Sequence, residues 1–400
     1  MSLTNEEQEC VDQFRKYLRI PTVHPNPDYA PAVAFLHQLC SEIRGVECQT
    51  IELVPKNPFL IATFVGKYPK KKSLMLSSHM DVVPVNRASW SVDPFEADVI
   101  DGEIYARGCQ DMKCVTIQQI IALKRLIKGG FVPNRTVHLV FTPDEEVGSA
   151  RGVELFAKSV FFKNLNVGFV MDEGIASPTE TMPLFYAERA TYSVIITCCG
   201  NAGHGSQFIH NTAAEKFLRI FTEIQNYRKQ QEILLNEHQN LKPGDVNTVN
   251  INMIRGGTQI NVVPSSLQMF VDFRINPTMS IPEFIELVNE WVALGGEGCT
   301  WERFNKNGPN EHYISKNDGD WWHALNRGCK NAKIQTELAI FPAGTDAKFI
   351  RKEGYQCFGF SPLYNTKILL HDDDERLSID VFLRGIEIYA DIIKELLSIE

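Results

Sequence analysis

Apolar positions in the first half of the chain alternate between a helical and an extended period. Val11, Phe14, Tyr17 and Leu18 recur at helical spacing, and residues 33–43 repeat the pattern, which predicts two amphipathic helices. Extended stretches follow at 50–54 and 59–65. Short apolar runs at 73–79, 136–142 and 167–172 predict buried strands, with a helix over about 112–126 between the first two. Strand, helix, strand in that order predicts a mostly parallel sheet with helices on both faces. Sites on such sheets gather at the carboxyl ends of the strands.

From about residue 190 the rhythm changes. Residues 191–197 read as a strand, 212–228 as a helix, 246–254 and 267–274 as strands, 281–294 as a helix and 299–304 as extended chain. The order β-α-β-β-α-β describes a two-layer unit able to fold on its own. A helix at 319–331, a strand at 338–341, a loop at 342–346 and a last helix then resume the first style; Ile379, Phe382, Leu383, Ile386, Tyr389 and Ile393 form its apolar stripe. The expected architecture is α/β, with a mostly parallel or mixed sheet covered by helices on both faces and an inserted βαββαβ domain. The expected bounds are 1–188 and 306–400 for the two parts of the main domain and 189–305 for the insert.

Composition narrows the function classes. With 400 residues, 44% hydrophobic and 22% charged, the chain can bury a sizeable core, and disordered, collagen-like and coiled-coil readings fall away. Apolar runs such as 59–65 fall far short of the roughly 18 residues that span a bilayer. The net charge is 40 − 49 = −9, and the basic residues cluster only as Lys70, Lys71 and Lys72, so neither nucleic acid nor a membrane is an expected partner. The opening MSLTNEEQEC is acidic with no apolar segment behind it, which makes the cytoplasm the expected compartment. Ten cysteines without metal-finger spacing are expected to be reduced and mostly packed.

The chemistry concentrates where the strands end. His79-Met80-Asp81 closes the first, Asp144-Glu145-Glu146 the second and Asp172-Glu173 the third. Asp111 opens the intervening helix, and His371-Asp372-Asp373-Asp374 lies in a late loop. Taken singly, each acid is as well explained by solvation or helix capping. His24, His37, His138, His210, His238, His312 and His323 have no acidic company at comparable spacing and read as packing or surface residues. Converging on one sheet edge, the acids would make an anionic pocket that is unfavourable unless paired, protonated or metal-bound. Imidazole mixed with carboxylate, without thiolate, points to zinc, or to cobalt or manganese, rather than calcium.

The segments SSHMDVVPV (77–85), YARGCQDMKC (105–114), TPDEEVG (142–148), MDEG (171–174), GNAGHGS (200–206) and LLHDDDERL (369–377) resemble the dinuclear zinc exopeptidase and deacylase family. The likeness is closest to the members that hydrolyse N-acyl-L-amino acids to a carboxylate and a free amino acid. It implies two zinc ions per chain: His79, Glu173 and Asp111 would hold one, Glu146, His371 and the same Asp111 the other. It also implies a hydroxide shared by the metals, Glu145 as general base, and Asp81 as a catalytic position accepting the other ring N–H of His79. His204 would donate to the oxyanion, and in dimeric relatives this residue serves the partner subunit's site. Asn261 and Arg274 would bind the substrate carboxylate, and Gly344 would let the backbone approach substrate. Further implications are a homodimer formed through the insert and a cis Asp111–Met112 peptide. Cys109 departs from the family's usual small residue and is expected to be buried. A dipeptidase or aminopeptidase on the same site is the close alternative. An inactive binding scaffold would predict broken ligands, and none is broken.

Overall fold

Every residue of the strands Ser73–His79 and Val137–Thr142 is buried, which is why both read as unbroken apolar runs rather than alternating ones. In the computed structural model, which describes residues 3–304 and 311–400, they lie side by side and parallel at the centre of an eight-stranded sheet. Val167–Asp172 and Gln356–Gly359 continue the parallel centre. Val46–Val54 and Asn57–Phe64 extend it antiparallel on one side; Thr181–Glu188 and Gln335–Phe341 complete the other. The sheet is therefore mixed, with a parallel core. Register aligns the strand ends: His79 stands opposite Thr142, and Asp172 opposite Gly359.

The helix Lys113–Lys128 is buried on every side over its first three turns, from Lys113 to Leu123. It packs against the last helix, Ile379–Leu397, where the Gln118 amide donates to the Phe382 carbonyl at 3.0 Å. Gly385 allows this approach, because a β-carbon there would meet the Gln118 side chain at 2.0 Å. The fixed helix start holds Asp111, one residue before its cap, at the edge of the sheet.

The chain divides into two compact units. One comprises Met1–Tyr186, Ser315–Leu338 and Thr345–Glu400; the other comprises Ala187–Ile314 and Ala339–Gly344. The expected break at 305/306 falls outside the described residues. Residues 339–344, read from sequence as part of the main domain, group with the second unit. Arg189 accounts for this, since its guanidinium donates twice to the Pro342 carbonyl, at 2.7 and 2.9 Å.

The second unit is a four-stranded antiparallel sheet in the order Thr248–Gly256, Ser266–Ile275, Ala190–Cys199, Cys299–Arg303. Alternate residues Tyr192, Val194, Ile196 and Cys198 form a core with Ile220, Ile224, Phe284, Val288 and Trp291 from the helices Ala213–Glu237 and Ile281–Gly295. Both helices begin with reciprocal caps, Thr212 with Glu215 and Ser280 with Glu283, which satisfy their first free amides.

Candidate metal centre

Two imidazoles face one carboxylate. His79 Nε2 lies 3.0 Å from Asp111 Oδ1 and 3.4 Å from Glu173 Oε2. His371 Nε2 lies 3.3 Å from Asp111 Oδ2 and 3.0 Å from Glu146 Oε2. Asp111 thus turns one oxygen to each histidine. Donor atoms of His79, Glu145 and Glu173 lie within 4.8 Å of one another, as do those of His79, Asp111 and Glu146. Asp144 and His371 reach their places with left-handed backbone, φ +72° and +62°. Such conformations are uncommon for residues with a β-carbon, and they turn the chain sharply at the strand end and in the late loop.

His79 is oriented by its own neighbourhood. Its Nδ1–H donates to the Asp81 backbone carbonyl at 2.9 Å, which leaves the Nε2 lone pair for a ligand. The expectation had the Asp81 carboxylate in this role, and the structure assigns it to the carbonyl. Asp81 Oδ1 is 3.8 Å from Nδ1, because the carboxylate turns away to accept the Glu146 backbone N–H at 3.1 Å and a bond from His24 Nε2 at 2.8 Å. His24, read from sequence as packing or surface, is therefore a partner of Asp81.

Asp111 is held from below by a residue the sequence reading passed over. Glu375, fully buried, accepts the backbone N–H groups of Gly108, Gln110 and Asp111 at 2.9, 2.6 and 3.2 Å, and the Arg107 guanidinium at 2.7 Å. Backbone amides leave no trace in residue identities, so nothing marked Glu375 as different from the acids before it. The Asp111–Met112 peptide is cis. Cys109 is buried, and burial pushes its thiol up, so it is a neutral packing group.

Burial pushes the Glu145 and Glu173 carboxyls well up, Glu145 further through the Glu173 charge. It raises Glu146 to about 6, with Asp111 adding to the effect, and Asp172 to about 6. Asp346, bonded by the Thr142 and Ser149 hydroxyls, rises to about 7 through burial and then Asp172. Hydrogen bonds donated to the Asp111 and Glu146 carboxylates raise His371 to about 10. Glu146 Oε1, Asp81 Oδ1 and Asp172 Oδ2 are buried without a hydrogen-bond partner among the described residues. Crowded carboxyls that burial raises, unpartnered oxygens and two aimed imidazoles fit divalent cations.

His371, raised to about 10, carries a proton at neutral pH in the metal-free protein, but only neutral imidazole binds metal. Zinc uptake at pH 7.5 is expected to release about one proton or more per chain, and affinity is expected to climb with pH. Calorimetric titration in buffers of different ionisation enthalpy measures this, and an enthalpy independent of buffer would contradict it.

The other candidate residues belong to the second unit. His204 is exposed on the short strand Gly203–His204, paired antiparallel with Val262–Val263, its Nδ1 2.8 Å from Ser206 Oγ. Asn261 is beside it, with its backbone carbonyl accepting the Gly205 N–H at 2.8 Å. Arg274 stands on the strand Ser266–Ile275 with Nε donating to Asp272 at 2.9 Å, and Gly344 is half-buried at the end of the 339–344 segment. The pairing of 203–204 with 262–263 brings His204 and Asn261 together; Arg274 and Gly344 sit on separate elements.

Comparison with known proteins gives the same outline. The model of peptidase family M20/M25/M40 matches residues 75–395. Aminoacylase-1 of Sus scrofa is 45% identical over 396 residues, covering 98% of this chain and 96% of that protein. An M20 family metallo-carboxypeptidase of Sulfolobus solfataricus has the same fold, with a TM-score of 0.73 at 17% identity over 99% of this chain and 100% of the other. A dinuclear metal binding peptidase of the M20 family from Bacillus subtilis is similar at TM-score 0.69 and 15% identity over 98% of each chain.

Proposed function

Because the chain belongs to peptidase family M20/M25/M40, we propose that its metal centre hydrolyses N-acyl-L-amino acids to a carboxylate and a free L-amino acid. The observation that carries the reading is Asp111, whose two oxygens face two imidazoles, each with a further carboxylate. His79, Glu173 and Asp111 would hold one zinc ion, and Glu146, His371 and Asp111 the second. The absence of thiolate from this donor set supports zinc over softer-ligand metals. Two such ions would supply Lewis-acid polarisation of the amide carbonyl and acidify water.

The chain's own groups do the rest. Glu145 lies within reach of His79 and Glu173, and burial raises its carboxyl, which favours proton uptake. It takes a proton from the attacking water and returns it to the leaving amine. His204 donates to the oxyanion that develops on the carbonyl, while Asn261, Arg274 and Gly344 contact the substrate's carboxylate end. Asp81 holds His79 through its carbonyl and Glu146 through its carboxylate.

The second unit would act as the dimerisation domain, which its exposed apolar residues Phe208, Ile254 and Ile260 support. No helix among the described residues is long and apolar enough to cross a membrane, and all ten cysteines are free, which supports a reducing cytoplasm.

The test is a release assay on N-acetyl-L-methionine beside the unblocked dipeptide Ala-Met, each with chelator and then with added zinc. Chelator-sensitive, zinc-restored cleavage of the acetylated substrate is the expected result. Cleavage of Ala-Met alone would reassign the site to a peptidase, and silence on both with two zincs bound would defeat the reading.

A further inference from the structure

His24 lies outside the cluster of acids, yet the fold delivers it there. Residues 22–24 run alongside 80–82: Val82 N–H donates to the Thr22 carbonyl at 3.0 Å, His24 N–H to the Val82 carbonyl at 3.2 Å, and the Thr22 hydroxyl to the Met80 carbonyl. This zipper sets the imidazole against the Asp81 carboxylate, with Nε2 2.8 Å from Oδ2. Since an ionised carboxylate only accepts, His24 is the donor. The Asp81 side chain is fully buried, whereas that of His24 keeps 10% of its surface on the wall of a cavity of about 1000 Å³ lined also by Tyr29, Val33, Asp144 and Val147.

Asp81 connects both halves of the centre. Its carbonyl fixes the ring of His79, and its Oδ2 accepts the backbone N–H of Glu146. Glu146 and His79 belong to different ligand groups, so any tilt of Asp81 moves both. The other carboxylate oxygen has no hydrogen-bond partner among the described residues, which leaves His24 as the side chain that fixes this carboxylate's rotation. Without that bond, a buried carboxylate beside Glu146 and Asp144 would turn to relieve repulsion and would carry the Glu146 backbone with it.

We propose that His24 is a positioning residue that, through Asp81, sets the geometry of both metal-ligand groups. The inference rests on the metal-centre reading above, and its readout does not require the substrate to be right. His24 works as a hydrogen-bond donor at Nε2, so a side chain that places an N–H at the same reach substitutes for it. Glutamine does so; asparagine is too short, and alanine offers nothing.

The experiment is zinc titration of the metal-free full chain in competition with a chromophoric chelator, for wild type and for His24→Ala, His24→Asn and His24→Gln, with kcat and KM on N-acetyl-L-methionine at saturating zinc. For His24→Ala and His24→Asn, zinc affinity is expected to fall about 10- to 100-fold, with kcat reduced and KM little changed. His24→Gln is expected to recover most of both losses, a rescue that mere filling of space would not discriminate from asparagine. If one loss variant does not fold, the other carries the comparison. Unchanged zinc affinity in the folded loss variant, or glutamine as impaired as asparagine, would overturn the proposal. Should wild type ignore N-acetyl-L-methionine, the proposed reaction fails while the zinc titration still decides the role of His24.

Discussion

Glu145→Gln is expected to lose turnover by about 100- to 10,000-fold while keeping two zinc ions per chain. The two consequences come apart because neighbouring carboxylates at one strand end face different partners. Glu146 Oε2 is 3.0 Å from His371 Nε2, and its backbone N–H is held by Asp81. Glu145 instead shares the neighbourhood of His79 and Glu173, where Asp111 Oδ1 already stands 3.0 Å from the imidazole. A base must sit beside the metal centre without being consumed by it, and burial raises the Glu145 carboxyl, which favours its taking up a proton. Metal analysis alongside kinetics decides the matter. If zinc falls to about one per chain with activity, Glu145 is itself a ligand with His79 and Glu173, and the base must be sought elsewhere.

What the sequence could say about this site follows from which groups do each job. His79, Glu146, Glu173 and His371 meet through side chains placed at strand ends or in a late loop, and apolar runs mark where strands stop. The acids after Thr142 and the MDEG turn were therefore legible as neighbours across the sheet. Bonds to the backbone were not. The carbonyl of Asp81 rather than its carboxylate orients His79, and Glu375 holds the Gly108–Asp111 amides from 264 residues away in the chain. His24 was missed for a related reason. Its company is Asp81, 57 residues on, and the pairing of 22–24 with 80–82 that unites them rests on main-chain bonds and one hydroxyl, Thr22 to the Met80 carbonyl. In the fold, the long buried strands announced themselves, while Gln356–Gly359 is only four residues long and Thr181–Glu188 carries Pro183 and runs after one residue into Ala190–Cys199, so neither shows a period of its own. The segment 339–344 joined the second unit because Arg189 reaches the Pro342 carbonyl, a contact that no periodicity encodes.

His204→Ala should reduce kcat by about 100- to 1000-fold with a smaller change in KM, since an oxyanion donor acts on charge that exists only as the carbonyl becomes tetrahedral. His204 is exposed, and its ring is tied to Ser206 in the adjoining loop, so it can be presented to another surface without breaking a core contact. The exposed apolar side chains of Phe208 and Ile260 lie close in sequence to these two short paired strands and would be covered in a symmetric dimer of second units. A mixing experiment separates donation within a subunit from donation across the dimer. In a mixed dimer of His204→Ala and Glu145→Ala chains, crossing leaves one site with both an intact Glu145 and the other chain's His204. Random pairing then restores roughly a quarter of wild-type activity, because about half of the dimers are mixed and each has one whole site. Donation within a subunit leaves every site damaged in every pairing. Absence of rescue, with subunit exchange verified by differently tagged chains, would therefore confine His204 to its own subunit and leave the dimer without a catalytic role.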